Sequence, residues 1–178
     1  MATEMMTDLM KALNDCYPVE AYKKHYLTAR MIQCDAEKFK ASNADDVEKC
    51  MWIRGMLDDL KQVPVGRFEH TFEYKNIAFD SAKFVRKAFP RKKKWDRWMC
   101  PASYEVAYDE MHCMVPDADG FGLFGQIREK DVEKCQWIAA IYEVMADVVE
   151  KYVNPIFDEL NIEYDWEAFY YADVYYEG

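Results

Sequence analysis

Apolar side chains recur at intervals of three and four residues through much of the chain, the spacing that places them along one face of a helix. Tyr22, Tyr26 and Ala29 follow this spacing and predict a first helix over about residues 19–40. A second helix is predicted by an apolar face made of Val47, Cys50, Ile53, Leu57 and Leu60. A matching helix later in the chain is predicted by Val132, Cys135, Ile138, Tyr142 and Met145.

Shorter patterns indicate the remaining elements. An apolar stripe predicts an N-terminal helix over residues 1–15, and another helix is predicted over about residues 78–89. Apolar and charged residues alternate over residues 68–74 and again over residues 162–166, and this period of two favours a short strand in each place. We therefore expect a mainly α protein, with an α+β fold that has one or two short strands per half as the alternative.

One eight-residue motif occurs twice. The sequence DVEKCMWI at residues 46–53 returns as DVEKCQWI at residues 131–138, with seven of eight positions identical. After it, two residue pairs within residues 73–79 return 90 positions later, and before it a weaker echo of residues 16–22 begins at Cys100. Because all three matches occur in the same order, the sequence predicts an internal tandem duplication with two pseudo-equivalent helical halves.

The duplication divides the chain into four parts. These are an N-terminal helix (1–15), a first copy (16–89), a basic linker (90–99) and a second copy that ends in an acidic aromatic element (100–178). In the later alignment, three bases of the first copy match acids of the second, namely Lys75 with Asp165, Lys83 with Asp173 and Lys87 with Glu177. One scaffold that presents two surfaces of opposite charge would explain this reversal. Ion pairing between the halves, or simple solvent exposure, is the alternative.

The bulk composition is that of an acidic folded protein. Hydrophobic residues make up 51% of the chain, enough for a substantial core, and the formal net charge is −10. We expect neither a secretory signal nor a membrane span, since no basic segment precedes an apolar run near Met1 and no apolar stretch reaches about 18 residues. Six cysteines in such a chain indicate reduced thiols in the cytoplasm, which is the host cytoplasm if the protein is encoded by a phage.

The positive charge is concentrated in residues 83–97, where eight bases face one acid. Aromatic residues are interleaved with the bases, and this mixture suits phosphate binding and base stacking. The residues predicted to contact nucleic acid are Arg86, Lys87, Arg91, Lys92, Lys93, Lys94 and Arg97. Binding to an acidic protein, or a role as a solvated linker, is the alternative.

The C-terminal segment has the opposite character, since residues 142–178 carry ten acids and one base. Carboxylates held on a rigid element can imitate phosphates and occupy the cationic groove of a nucleic-acid-binding protein. The acids predicted to contact such a partner are Asp158, Glu159, Glu163, Asp165, Glu167, Asp173 and Glu177. The aromatic residues predicted to anchor it are Trp166, Tyr170, Tyr171 and Tyr175. An ordinary amphipathic element with one wet face is the alternative.

No motif predicts catalysis, a cofactor or a metal. The run GFGLFG at residues 120–125 fits a dinucleotide-binding pattern but follows no convincing strand, so we interpret it as an apolar loop. The acids at residues 117–119 lack the later ligands of a calcium loop. There is no pair of cysteines at zinc-binding spacing, and nothing in the spacing of the acids selects a catalytic pair.

These observations favour a non-enzymatic binding protein that inhibits or modulates a nucleic-acid-binding protein or nuclease. In its small size, acidity and lack of catalytic motifs the chain resembles phage-encoded inhibitors of restriction and CRISPR enzymes. A nucleic-acid-binding module that uses the basic stretch is the second hypothesis, and a zinc or thiol-redox protein is the third. The sequence leaves open whether the protein is a monomer or a homodimer.

Overall fold

All of the regular structure in residues 17–63, 78–90, 99–121 and 128–176, the ranges that our computed structural model describes, is helical. The predicted mainly α fold is therefore confirmed. The helices are α1 (Val19–Ala36), α2 (Ala44–Gln62), α3 (Ser81–Ala88), α4 (Pro101–His112), α5 (Met114–Asp119), α6 (Glu129–Val148), α7 (Asn154–Glu159) and α8 (Trp166–Tyr176), with a π-helical turn (Val149–Val153) between α6 and α7. The predicted N-terminal helix and the predicted strand at residues 68–74 lie outside the described residues.

Short polar side chains determine where two of the predicted helices begin. The Asn43 carboxamide accepts a hydrogen bond from the Asp45 amide at 3.0 Å and caps α2. The Asp80 carboxylate accepts from the Lys83 amide and caps α3. α1 ends four residues earlier than predicted, and the Lys40 amide in the following turn donates to the buried Asp46 carboxylate at 3.0 Å.

The strand predicted over residues 162–166 is wrong. Residues 162–165 form an irregular connection, and Trp166 begins α8. The Asp165 carboxylate accepts from the Ala168 amide at 3.1 Å, which starts a helix where the alternation suggested a strand. A strand satisfies its backbone groups only beside another strand, and the described part of the chain contains none.

Four long helices form the core, and each half contributes two of them. α1 packs along α6, and α2 packs along α4. Contacts of α2 with α6, and of α1 with α4, close the ring. Each long helix of one half is therefore flanked by helices of the other half. Its contact with its own half is concentrated at the connecting turn, where Lys49 of α2 reaches Asp35 of α1.

Each repeated tryptophan lies at the centre of an aromatic cluster. The Trp137 ring, which is fully buried, lies 5.5 Å from that of Tyr26 and 4.6 Å from that of Phe84. In the other half, the Trp52 ring lies 5.7 Å from that of Tyr108 and 5.0 Å from that of Phe169. Tyr26 and Phe84 beside Trp137 thus have counterparts in Tyr108 and Phe169 beside Trp52. Common ancestry of the halves stays a prediction, which these similar contacts support.

The helix caps correct the register of the C-terminal alignment. Asp80 caps α3 and Asp165 caps α8, and these positions differ by 85, the same interval that separates the two copies of the DVEKC motif. In the predicted 90-residue register, residues 78–79 before α3 would match residues 168–169 inside α8. The caps favour the 85-residue register, in which Lys83 and Lys87 no longer match Asp173 and Glu177. The charge reversal at these positions stays a prediction, and Lys75 lies outside the described residues.

Candidate functional site

A buried lysine follows the acidic start of each repeated motif and pairs with an aspartate. The Lys49 ammonium lies 3.1 Å from the Asp35 carboxylate, and both side chains are almost fully shielded from solvent. The Tyr104 hydroxyl, which comes from the other half, donates to the same carboxylate at 2.6 Å. Burial and the Asp35 carboxylate raise the pKa of Tyr104, so the hydroxyl stays a proton donor.

The second half repeats the arrangement. The Lys134 ammonium lies 2.9 Å from the Asp117 carboxylate, with the two side chains 2% and 5% exposed. The Tyr22 hydroxyl of the first half donates to Asp117, and burial together with that carboxylate raises the pKa of Tyr22. Lys134 also lies over the rings of Tyr22 and Phe121, at 5.5 and 5.7 Å from their centroids, which adds a cation–π contribution.

These two clusters, which we call the Lys–Asp–Tyr clusters, join the halves. Neither belongs to the walls of the two open grooves beside α3. Each charge has an opposite charge within hydrogen-bonding distance, and each cluster takes its tyrosine from the opposite half. These clusters could not be predicted from the sequence, because each one requires a tyrosine from the other half. One signal was present, because Tyr22, Asp35 and Phe39 are followed 82 positions later by residues of the same types.

The thiols do not assemble a metal centre in the described residues, where no three His, Cys, Asp or Glu side chains lie close enough to hold an ion. Cys50 and Cys135 are buried, and burial raises the pKa of the Cys50 thiol to about 12. Cys100 precedes α4, and a hydrogen bond with the Ser103 hydroxyl lowers the pKa of its thiol. These thiols therefore lie in different environments. Cys50 and Cys135 act as small buried hydrophobic residues, and Cys100 is a thiol at the start of a helix.

Five of the predicted acidic contacts lie in the described part of the chain, and all five are exposed. They are Asp158, Glu159, Glu163, Asp165 and Glu167, which we call the acidic face. None of the five makes an ion pair within the described residues. The sequence from residue 152 to residue 178 contains no lysine or arginine. The Asp173 side chain and Glu177 lie outside the description.

The predicted aromatic anchors divide into two groups. Trp166 packs against the rings of Trp52 and Tyr108 at 5.6 and 4.8 Å, and the Tyr170 ring stacks on that of Trp166 at 5.4 Å. These two residues hold α8 on the core, because their rings are engaged within the molecule. Tyr171 is 50% exposed and keeps the predicted access to a partner. The Tyr175 side chain is not described.

Gly55 makes this attachment of α8 possible. A methyl group at residue 55 would clash with the six-membered ring of Trp166, because three of the ring atoms would lie within 2.7 Å of it. We expect Gly55→Ala to lower the free energy of unfolding by about 1–2 kcal/mol, since overpacking by a methyl costs about 1–3 kcal/mol and exceeds the helix-propensity gain of at most about 1 kcal/mol. Urea denaturation measures the change.

The background variant Trp166→Ala provides the control for this prediction. Without the indole the atoms nearest to the added methyl are absent, so Gly55→Ala should then stabilise the protein by about 0.5–1 kcal/mol. If the substitution has the same sign in both backgrounds, the close approach of Gly55 and Trp166 does not limit the packing of α8.

Only part of the predicted nucleic-acid-binding stretch is described. Lys83, Arg86 and Lys87 are exposed on α3. The predicted contacts Arg91, Lys92, Lys93, Lys94 and Arg97 lie outside the described residues.

Two open grooves flank α3, and both have mixed charge. Lys87 lines a groove of about 690 Å³ together with Glu129 and Glu133. Arg86 lines one of about 460 Å³ that includes Glu143, whose carboxylate accepts a hydrogen bond from the Ser81 hydroxyl at 2.5 Å. A phosphate chain along this part of α3 would face carboxylates as well as bases.

No family model, curated protein or solved structure matches this chain. Among the described helices none has both the length and the apolar character that crossing a membrane requires. The functional interpretation therefore rests on the surface residues and their geometry.

Proposed function

We propose that this protein binds the cationic, nucleic-acid-binding surface of another protein, such as a nuclease, through the acidic face, and modulates that partner without catalysis. The observation that carries the proposal is a set of five exposed carboxylates with no ion pair in the described residues. Unpaired charges of one sign attract an oppositely charged surface over a distance comparable to the Debye length.

The elements that carry these carboxylates are anchored to the core. Ile156 and Phe157 of α7 are each 6% exposed, and the Trp166 ring fixes the start of α8. The Ile162 amide donates to the Phe157 carbonyl at 2.9 Å and secures the connection between the two helices. Carboxylates on such supports lose little conformational freedom when a partner binds, which favours mimicry of a phosphate row.

Apolar side chains beside the acids supply contact area for a protein partner. Leu160 and Tyr171 are 42% and 50% exposed within the same region of the chain. An exposed tyrosine is a common binding hot spot because it combines a large apolar surface with a hydroxyl. A protein partner therefore suits this surface better than a small charged ligand.

The test compares which proteins the wild type and a variant retain from a lysate of the cells in which the chain occurs. A variant with Asp158→Asn, Glu159→Gln, Glu163→Gln, Asp165→Asn and Glu167→Gln keeps a capping side chain at residue 165 and removes the charge. We expect the wild type to retain a nucleic-acid-binding protein that added duplex DNA or salt releases. The neutralised variant should bind it at least about tenfold more weakly.

The matched control neutralises five exposed acids on other helices and turns. These are Glu37, Asp45, Glu105, Asp109 and Glu110. This variant has the same net charge as the first but keeps the acidic face, so it should retain the partner as the wild type does. Equal retention by all three proteins, or retention that duplex DNA leaves unchanged, would contradict the proposal.

The second candidate function, direct nucleic-acid binding, is favoured by the exposed bases of α3 and by the sequence that follows them. It predicts that the purified protein binds duplex DNA with an affinity that falls steeply with salt. Replacing residues 91–94 with alanine should abolish that binding, and the neutralised acidic-face variant should bind DNA at least as well as the wild type.

A further inference from the structure

The core of this protein is formed mainly by contacts between its two halves. α1 of the first half packs along α6 of the second, and α4 of the second packs along α2 of the first. Within each half the two long helices meet chiefly at their connection, where the buried lysine and aspartate pair. Most of the core surface of a half is therefore covered by the other half.

The polar contacts of the core have the same reciprocal character. Asp117 and Lys134 belong to the second half, and the hydroxyl that completes their cluster comes from Tyr22 of the first. Asp35 of the first half receives the hydroxyl of Tyr104 from the second. A half without its counterpart would leave each Lys–Asp pair without this donor, and an incompletely satisfied buried carboxylate is unfavourable.

The aromatic clusters are shared in the same manner. Trp137 of the second half is covered by Tyr26, Phe84 and Phe89 of the first, with ring centroids 4.6–5.8 Å from its own. Trp52 of the first half is covered in turn by residues of α4 and α8. Each half therefore carries a specific surface for the other, and any copy of the chain can supply the matching half.

We propose that this protein forms a dimer with a second copy of itself by exchanging halves. In this dimer, residues 17–90 of one chain pack with residues 99–176 of the other, and both Lys–Asp–Tyr clusters re-form between chains. Pro90 and Met99 are nine residues apart, and an extended segment of that length spans up to about 30 Å. Pairing within one chain is favoured at low concentration, so the exchanged dimer accumulates when chains fold together at high concentration.

The experiment uses two full-length chains with a specific protease site inserted in the 90–99 linker. One chain carries an affinity tag at its N-terminus, and the other carries a different tag at its C-terminus. They are unfolded in urea, mixed, refolded at several hundred micromolar, and the dimer is isolated by size exclusion. The linker is then cleaved. If the halves are exchanged, each dimer of two differently tagged chains yields two monomer-sized particles on cleavage. About half of these particles should therefore carry both tags, and the rest should carry none.

The control cleaves the two tagged monomers separately and mixes them without unfolding. It should give no particle with both tags, which shows that halves do not trade partners after cleavage. The proposal is overturned if co-refolding at high concentration yields only monomer. It is equally overturned if the dimer, once cleaved, releases monomer-sized particles with one tag each, because that result identifies a dimer built on outer surfaces. Circular dichroism of the uncleaved chains verifies that the inserted site leaves the helical fold intact.

Discussion

Replacing Asp117 with alanine is expected to lower the free energy of unfolding by about 3–5 kcal/mol, because it removes the carboxylate that pairs with the buried Lys134 ammonium. The Lys134 side chain is 2% exposed, so water cannot replace the lost carboxylate without a rearrangement of the core. The Tyr22 hydroxyl loses its acceptor in the same substitution. Urea denaturation at pH 7, monitored by far-ultraviolet circular dichroism, measures the change.

Two further variants isolate the cause. The triple variant Asp117→Leu, Lys134→Met and Tyr22→Phe removes all the polar groups of the cluster together, and it should recover most of the stability that Asp117→Ala loses. Glu20→Ala breaks an exposed ion pair with Lys23 and should cost less than about 1 kcal/mol. A loss below about 1 kcal/mol for Asp117→Ala would show that the cluster does not hold the halves together.

Acid is expected to destabilise the protein through His25. This side chain is 4% exposed, its Nε2 atom is held by the Tyr17 hydroxyl, and its Nδ1 atom has no hydrogen-bond partner in the described residues. Burial lowers the pKa of His25 from 6.5 to about 4. The unfolded chain therefore binds a proton that the folded chain excludes, and stability falls as the pH drops from about 6.5 to about 4. The loss reaches about 3 kcal/mol at the lower end.

The pH dependence is measured as the difference in unfolding free energy between the wild type and His25→Gln from pH 8 to pH 4. Subtraction removes the contribution of the carboxylates, which also titrate in acid. The difference should shift in favour of the variant by about 3 kcal/mol as the pH falls. An identical pH slope for wild type and His25→Gln would contradict the assignment.

Packing between the halves holds the end of the acidic face where Asp165 caps α8 and Glu167 lies in its first turn. α8 follows a connection without regular structure, yet the Trp52, Tyr108 and Trp166 rings hold its first turn. The variant Gly55→Ala therefore provides a functional test as well as a stability test. If the acidic face acts as proposed, displacement of α8 should weaken partner binding although every carboxylate is retained.

The pattern of apolar residues was sufficient to locate most of the helices that form the core. Three- and four-residue spacing identified the faces of α1, α2 and α6, because periodicity depends only on which side chains avoid water. The repeated DVEKC motif pointed to two equivalent halves, and the acids of the C-terminal segment were located directly in the sequence. The alternation of residues 162–166 did not show that Asp165 would cap a helix, so the prediction of a strand there was wrong.

Which helices of the two halves pack together, and therefore which contacts the aromatic and charged residues make, depends on the three-dimensional arrangement. Nothing in the sequence indicates that the Trp166 ring packs against Gly55 and Trp52, so this residue was predicted to contact a partner. The Lys–Asp–Tyr clusters unite residues up to 95 positions apart. Such pairings depend on how helices cross, and periodicity along the chain contains no information about which apolar face meets which.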